Sequence, residues 1–324
     1  MCLGRQPRVR PSPVKHLISE GVTVPLVERY RDRLPLAADA KVVSLGEGST
    51  PLLPAPRLSE RTGAEVWLKW EGANPTGSFK DRGMTVAVTQ ALADGSRSVV
   101  CASTGNTAAS AAAYAARAGL DAVILQPEGA VARGKLAQAR AVGAKVETRA
   151  NFEEALAEAK ELEAAGTHVL VNSLNPLRLQ GQKTAAFEIA EELGGAPDVL
   201  ALPYGGGGNL CAYAIGFGEL GALPRFVAAQ AANRAGTAAS AIRIVEPAHE
   251  AEAQLALADS GGAAPSIPDE AILDAWRVLA HEEGLFCEPS SAAGLAALLA
   301  DPPRGARVVC VITGHGLKDP DAVA

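Results

Sequence analysis

Lys80 stands in NPTGSFKDRG, residues 74–83, just after a proline and a glycine, among small polar residues and at the head of an apolar-periodic segment. A lysine so placed offers a nucleophilic amine. The plain alternative is a turn into a helix: Asn-Pro and Thr-Gly are turn signals, Ser78 is a competent N-cap, and a surface lysine in a first turn needs no function. A second candidate is the run of glycines Gly205, Gly206, Gly207 and Gly208 followed by Asn209. Between a strand and a helix, such a run turns several backbone N–H groups inward, and the helix N-terminus adds a favourable partial charge for an anion. Glycine is required there because a Cβ would crowd the anion or forbid positive φ; a tight turn is the plain alternative.

The glycine run is neither a Walker loop, which needs a following Lys and Ser/Thr, nor a GxGxxG dinucleotide fingerprint with its acidic ribose partner. A phosphate nest without a nucleotide signature leaves a phosphorylated cofactor or substrate. With one lysine near small polar residues it suggests pyridoxal phosphate, which needs an amine for its aldehyde, a phosphate cradle, a partner for its phenolic oxygen and one for its ring nitrogen. Lys80, the loop ending in Asn209, Asn106 and Thr313 are the candidates for these four roles.

The elements that must position these residues alternate. Residues 64–70 read as a strand, 79–93 as a helix stopped near Gly95, 98–103 as a strand, and 104–119 as a helix favoured by its alanines. AVILQ, GKLAQARAVG and AKVETR continue as strand, helix and strand, and Asn151 with Glu154 predicts a capping box for the next helix. The spacing predicts βαβ units and a mostly parallel sheet, whose sites lie beyond the carboxyl ends of the strands. Further on, HVLVNS, DVLALP, FVAAQAA, AIRIVEP and ARVVCVI read as strands, with helices over QKTAAFEIAEELGG, after Asn209, and over PDEAILDAWRVLAHEEG. Three strand ends carry small polar loops: STGNT, GGGGN and TGHG.

Composition narrows the function. A formal net charge of −6 with 20% charged residues argues against a nucleic-acid surface, and aromatics at 4% argue against a binding module with exposed anchors. Cys2, Cys101, Cys211, Cys287 and Cys310 are scattered singly without metal-site spacing and read as small buried hydrophobes in a reducing compartment. The first ten residues hold three arginines but lack the apolar core of a signal peptide, and no span approaches about 18 apolar residues. The expectation is a soluble cytoplasmic enzyme with a small-molecule substrate and neither nucleic acid, membrane nor metal as a partner.

The set GEGSTPL, NPTGSFKDRG, ASTGNTAAS, VNSLNPLRLQGQKTAAFEI, EPSSAA and TGHGLKDP, within residues 46–319, resembles the threonine synthase family of pyridoxal-phosphate enzymes. The resemblance implies an α/β fold of two open, mostly parallel twisted sheets flanked by helices, like the tryptophan synthase β-subunit (fold type II). The regular βαβ spacing of the middle and the site residues on both sides of it predict a small domain 74–173 inserted into a large one from residues 1–73 and 174–324, with the cofactor in the cleft between them, and the resemblance implies a homodimer. The implied reaction converts O-phospho-L-homoserine and water to L-threonine and phosphate. Lys80 then becomes the cofactor-bound lysine and proton carrier, Asn106 the partner of the phenolic oxygen, Gly205 to Asn209 the phosphate loop, and Thr313 a neutral partner of the ring nitrogen. The family's substrate-phosphate residues match Ser103, Asn172, Ser173 and Arg178, and Thr107 matches a hydroxyl near the carbon that receives water. Two stretches depart from the family: GGGGN replaces GNAGN, and residues 230–241 are shortened ahead of IVEPAHE, where IGNPASW is usual. The tetraglycine resembles serine or threonine dehydratases, so a dehydratase or related β-replacement enzyme is the alternative. Asn172, Ser173 and Arg178 favour the first reading, since unphosphorylated threonine offers them no anion. His315 reads as structural more readily than catalytic, Glu288 and Ser290 as a cofactor-side loop or a helix cap, and Trp67 and Trp70 as core.

Overall fold

The computed structural model describes residues 24–129 and 133–320, so that Cys2 and the arginine-bearing first ten residues lie outside it. Its strands are β1 (Leu52–Pro54), β2 (Glu65–Trp70), β3 (Ser98–Ala102), β4 (Asp121–Pro127), β5 (Lys145–Arg149), β6 (Val169–Leu170), β7 (Val199–Pro203), β8 (Arg225–Ala231), β9 (Ser266–Ile267) and β10 (Arg307–Ile312). Its α-helices are α1 (Leu26–Arg29), α2 (Pro56–Thr62), α3 (Lys80–Ala93), α4 (Asn106–Ala118), α5 (Arg133–Ala141), α6 (Phe152–Ala164), α7 (Pro176–Gln182), α8 (Thr184–Leu193), α9 (Gly208–Glu219), α10 (Glu250–Ser260), α11 (Asp269–Glu282) and α12 (Ala293–Ala300). They form a six-stranded sheet, ordered β1-β2-β10-β7-β8-β9, and a four-stranded sheet, ordered β5-β4-β3-β6. Every pairing is parallel except that of β1 with β2. The expected α/β architecture of two mostly parallel sheets flanked by helices is thus the one the chain adopts.

Both faces of the larger sheet are covered, which is why its strands read as continuous apolar runs. Val308, Cys310 and Ile312 pack with Leu279, Leu295 and Leu298 on one face, whereas Val309 and Val311 pack with Ile189, Tyr213 and Phe217 on the other. In the smaller sheet Val99 and Cys101 face the alanine-rich α4, and Val100 and Ala102 face Ala155 and Ala159 of α6. Small side chains let α4 lie close to its strands, and Gly119 ends it at φ 70°. Among the described residues no helix is long and apolar enough to cross a membrane.

Several local expectations are corrected. Residues 241–247 do not form a strand: a short 3-10 turn at Ser240–Ile242 leads into a loop. Its polar groups are satisfied without a ladder, because Ser290 Oγ accepts from the Ala241 N–H at 2.9 Å and Arg243 donates to Thr237 O at 2.6 Å. Pro247 lacks a donor for a sheet altogether. Ser78 is not a cap either, since α3 begins after Phe79 with no side-chain cap and Ser78 pairs through its backbone with Gly314. Asn151 does cap α6, accepting from Glu154 N at 2.8 Å, but the Glu154 carboxylate reaches back to Ala150 N rather than to Asn151 N.

A buried charge cluster fixes α3 to the larger sheet. Arg82, fully buried, donates to both carboxylate oxygens of Glu71 at 2.7 and 2.8 Å and to both of Glu188 at 2.7 and 2.6 Å. Lys69 Nζ lies 2.9 Å from Glu188 and donates to Thr50 O at 2.7 Å. Burial alone would raise the Glu188 pKa, but Arg82 and then Lys69 more than reverse this and hold it well below the usual carboxylate range.

Removing one member strands the others. Arg82→Met is expected to cost about 3–5 kcal/mol in denaturant unfolding, because Glu71 and Glu188 are left buried without their cation. Arg277→Ala, which breaks an exposed pair with Asp274, leaves the midpoint essentially unchanged. Since the folded pKa of Glu188 is depressed, its contribution is present above the unfolded carboxylate value of about 4.3 and is lost as pH falls through the folded one. Equal midpoints for Arg82→Met and Arg277→Ala would contradict the cluster's role.

Candidate active site

The polar loops all follow the carboxyl ends of parallel strands. After β2 the chain reaches Lys80 through a turn pinned to the end of β10: Phe79 N donates to Thr313 O at 3.1 Å, and His315 N to Gly77 O at 2.9 Å. Gly77 sits at φ 84°, a conformation that favours glycine. Asp81 locks the turn from within, accepting from Thr76 N at 2.7 Å, Thr76 Oγ1 at 2.6 Å and Ser110 Oγ at 2.6 Å. Lys80 is thereby held as the first residue of α3. Its Nζ lies 4.2 Å from the centre of the Phe79 ring and has no hydrogen-bond partner among the described residues. Burial lowers the Lys80 pKa, the Arg178 cation lowers it further, Glu288 offsets part of the change, and the result is about 7.

Arg178 reaches the same place on α7. The two helices cross with backbones in contact: a Cβ on Gly83 would lie 2.6 Å from Arg178 O, and one on Gly181 would lie 1.9 Å from Arg82 O. Arg178 is fully buried and donates from Nη1 to Val171 O at 2.8 Å, while its Nε and Nη2 have no partner. Burial pulls its pKa down to about 10. Among the described residues it makes no ion pair. Such a guanidinium is incomplete without an anion, for which its planar fork is suited.

The loop after β3 supplies the facing wall. Ser103 Oγ accepts from Gly105 N at 3.1 Å, and the first turn of α4 has no side-chain cap, so the N–H groups of Asn106 and Thr107 remain available to an anion, those of Ala108 and Ala109 donating to Gly105 O. Asn106 is buried; Nδ2 donates to Glu288 Oε1 at 2.9 Å and Oδ1 has no partner. Thr107 follows in the same turn, half-buried. After β6, Asn172 exchanges two hydrogen bonds with the backbone of Ala102, at 2.8 and 2.9 Å. It braces the two-residue strand β6 against β3, leaving one amide N–H free of that task. Ser173 comes next, half-buried, and then Arg178.

After β7, Gly205, Gly206, Gly207 and Gly208 lead into α9. Gly207, at φ 83°, stands at the helix N-terminus without a side-chain cap, and Asn209 Nδ2 is buried without a partner. The loop adjoins the α7 wall, since a Cβ on Gly208 would lie 3.4 Å from Leu179 Cδ2. At the end of β10, Thr313 is buried with its hydroxyl 2.9 Å from that of Ser291, which also accepts from Gly314 N at 2.8 Å.

These residues fit pyridoxal phosphate. The lysine is unpaired and close to neutral, the uncapped glycine turn suits a phosphate, Asn106 and Asn209 carry buried unpartnered atoms, and the Thr313–Ser291 hydroxyls give a neutral partner for a ring nitrogen. Sequence reasoning missed Ser291, although it lies in the EPSSAA stretch, and also Lys135, whose Nζ lies 3.1 Å from Glu288. His315 is structural: its Nδ1 accepts from Leu317 N at 3.1 Å and its ring lies 5.5 Å from that of Trp70. Cys101, Cys211, Cys287 and Cys310 are buried and unpaired, as expected for small hydrophobes.

Comparison with known proteins gives the family. Residues 43–314 match the family described as pyridoxal-phosphate dependent enzyme. The threonine synthase of Synechocystis sp. is 50% identical over 91% of this chain and 84% of its own length. That of Mycobacterium tuberculosis is 51% identical over 91% and 89%, respectively. Among solved structures, a threonine deaminase from T.th. has a TM-score of 0.71 and 28% identity, covering 82% of this chain and 92% of that one. Maize serine racemase, at 23% identity, shares the fold with a TM-score of 0.74 over 82% and 88% of the two chains. The chain belongs to the family of pyridoxal-phosphate-dependent enzymes and, within it, to the threonine synthases.

The environment of Lys80 is directly measurable. In cofactor-free protein, competitive labelling with an amine-reactive reagent should titrate Lys80 with a midpoint of about 7. Exposed lysines should titrate near 10.4, about the ordinary value. Because burial disfavours the cation, Lys80 is reactive above the midpoint and protected below it. A Lys80 midpoint as high as that of the surface lysines would refute the desolvated site, and so would borohydride fixing cofactor on any other lysine of the loaded enzyme.

Proposed function

We propose that this member of the pyridoxal-phosphate-dependent enzymes converts O-phospho-L-homoserine and water to L-threonine and inorganic phosphate. The single observation that carries the reading is Arg178, a buried guanidinium with two unpartnered nitrogens and no counter-ion among the described residues, in the electrostatic range of Lys80. An amino-acid substrate with a phosphate at its far end supplies the anion. Relatives named threonine synthase at 46–51% identity support the same conclusion.

Bound pyridoxal phosphate supplies an aldehyde that condenses with amines and a ring that draws off the charge left when Cα loses a proton. The chain supplies the rest. Lys80, with a pKa of about 7, has a substantial neutral fraction at neutral pH and accepts the Cα proton. It then assists loss of a proton from Cβ, so that the Cγ–O bond breaks and its electron pair leaves with phosphate. A proton returns to Cγ, water adds through oxygen at Cβ, and Cα is reprotonated. Arg178, with the Ser103 and Ser173 hydroxyls and the N–H groups of α4, holds the phosphate before and after it leaves. Asn172 keeps that wall in register and has one amide N–H left to bind the phosphate, Thr107 orients the incoming water, and Asn106 and Thr313 would hold the cofactor's phenolic oxygen and ring nitrogen. The loop Gly205–Gly206–Gly207–Gly208–Asn209 would hold the cofactor's own phosphate.

The reading also takes residues 1–73 with 174–324 as one domain and 74–173 as another. It takes the protein to be a cytoplasmic homodimer acting on a small molecule, with neither nucleic acid nor membrane as its partner; the acidic balance and the singly buried thiols support it. A dehydratase of serine or threonine is the second reading. It is favoured by the tetraglycine loop and by the 28% identity with the threonine deaminase from T.th..

Arg178→Ala separates the two. The variant should keep the cofactor spectrum yet lose about 10²-fold or more in kcat/KM for O-phosphohomoserine, the usual scale for truncating one partner of a desolvated charge pair. Any dehydration of threonine or serine should change far less, because neither substrate brings an anion to Arg178. Equal losses on all three substrates, or wild-type turnover of threonine with none of O-phosphohomoserine, would decide for the dehydratase.

A further inference from the structure

His249 belongs to neither set of residues assigned above, yet it touches both phosphate-holding walls. It lies just ahead of α10 and is only 8% exposed. Its backbone is tied to the glycine loop, His249 N donating to Gly206 O at 3.1 Å, and the next residue, Glu250, accepts at 2.7 Å from the hydroxyl of Tyr204, which immediately precedes the loop. The glycines are what permit this approach. A Cβ on Gly207 would lie 2.9 Å from His249 O, and one on Gly208 would lie 3.3 Å from the imidazole Cδ2. From this anchored backbone the ring crosses to the loop after β6, where Nε2 lies 2.8 Å from Ser173 O. A carbonyl oxygen only accepts, so Nε2 carries the hydrogen.

We infer that His249 is a positioning residue that sets Ser173, and with it the substrate-phosphate wall beside Arg178, at a fixed distance from the cofactor-phosphate loop. The glycine loop contributes no side chain to that task at Gly206 or Gly207, and the imidazole reaches across in their place. The ring is planar and has few rotamers, so its bond to Ser173 O transmits the position of one loop to the other. Loss of the bond frees the Ser173 backbone. The expected consequence falls on recognition of phosphate and much less on cofactor retention, because the bonds that tie this segment to the glycine loop region, from His249 N to Gly206 O and from the Tyr204 hydroxyl to Glu250, do not involve the imidazole.

The inference rests on the reading of Ser173 and Arg178 as the substrate-phosphate wall, and the test keeps the two apart. Inorganic phosphate, added to the cofactor-loaded enzyme, serves as the probe, read as its inhibition constant against O-phosphohomoserine together with KM, kcat and bound cofactor per chain. His249→Phe keeps the ring volume without the donor; it should raise the phosphate inhibition constant and KM by about 10-fold, the scale of one positioned hydrogen bond, with cofactor content unchanged. His249→Gln keeps a donor within reach of Ser173 O and should stay within about 3-fold of wild type. Wild-type phosphate binding in His249→Phe, or equal impairment of the Phe and Gln variants, would overturn the role of the Nε2 bond. If Arg178→Ala also leaves phosphate binding unchanged, the substrate-phosphate wall itself is wrong; if only Arg178→Ala weakens it, the wall stands and His249 is merely structural.

Discussion

Arg82, two residues beyond Lys80, is fully buried between Glu71 and Glu188, and the position of α3 depends on that arrangement. A buried cation is costly to desolvate, and it is tolerated here because both carboxylates meet the guanidinium through paired hydrogen bonds and Thr50 and Thr184 occupy further donors. The carboxylates come from different parts of the larger sheet's surroundings, Glu71 just after β2 and Glu188 on α8. Two segments close in sequence and a third far along the chain are therefore brought into one orientation, a service that apolar contact alone, being non-directional, does not give. Lys80 inherits this orientation as the first residue of the same helix.

The neighbouring cations obey the opposite rule. Arg82 is over-supplied with carboxylates, whereas Arg178 and Lys80, close enough for the cation of one to lower the pKa of the other, have no carboxylate bonded to either. Their depressed pKa values have one origin, desolvation, to which mutual repulsion adds for Lys80. An anion is what the unpartnered Nε and Nη2 of Arg178 lack. A fold that satisfies one arginine completely and leaves another open, both at the crossing of α3 and α7, separates scaffold from site across one helix contact.

The sequence displayed the scaffold better than the connections across the site. The alternation from residue 64 to residue 164 was legible because each strand is a short apolar run and each helix has its own start and stop signals. Polar loops at the ends of β3, β7 and β10 pointed to the cleft for the same reason. Residues 241–247 were misread because AIRIV has the alternation of a strand, while its hydrogen bonds go to Ser290 and back to Thr237, neither of which the local pattern reveals. The helix α12 gave no periodic signal, as it is buried nearly all round and lacks a polar face. His249 and Lys135 were invisible for a further reason: their partners, Ser173 and Glu288, lie far away along the chain and come from other elements.

The crossing of α3 and α7 at Gly83 and Gly181 acts as a gauge. Neither position admits a side chain without parting the helices, so the separation of the Lys80 and Arg178 backbones is set by main-chain contact and cannot be adjusted by exchanging one residue for a slightly larger one. If the amine marks where the reacting α-carbon must sit and the guanidinium marks where the far anion must sit, the helix contact measures the number of bonds between them. A phosphoester one carbon shorter would leave either the cation or the reacting carbon out of place. Selection by substrate length is then a property of two glycines whose own nearest neighbours are the main chain of the opposite helix.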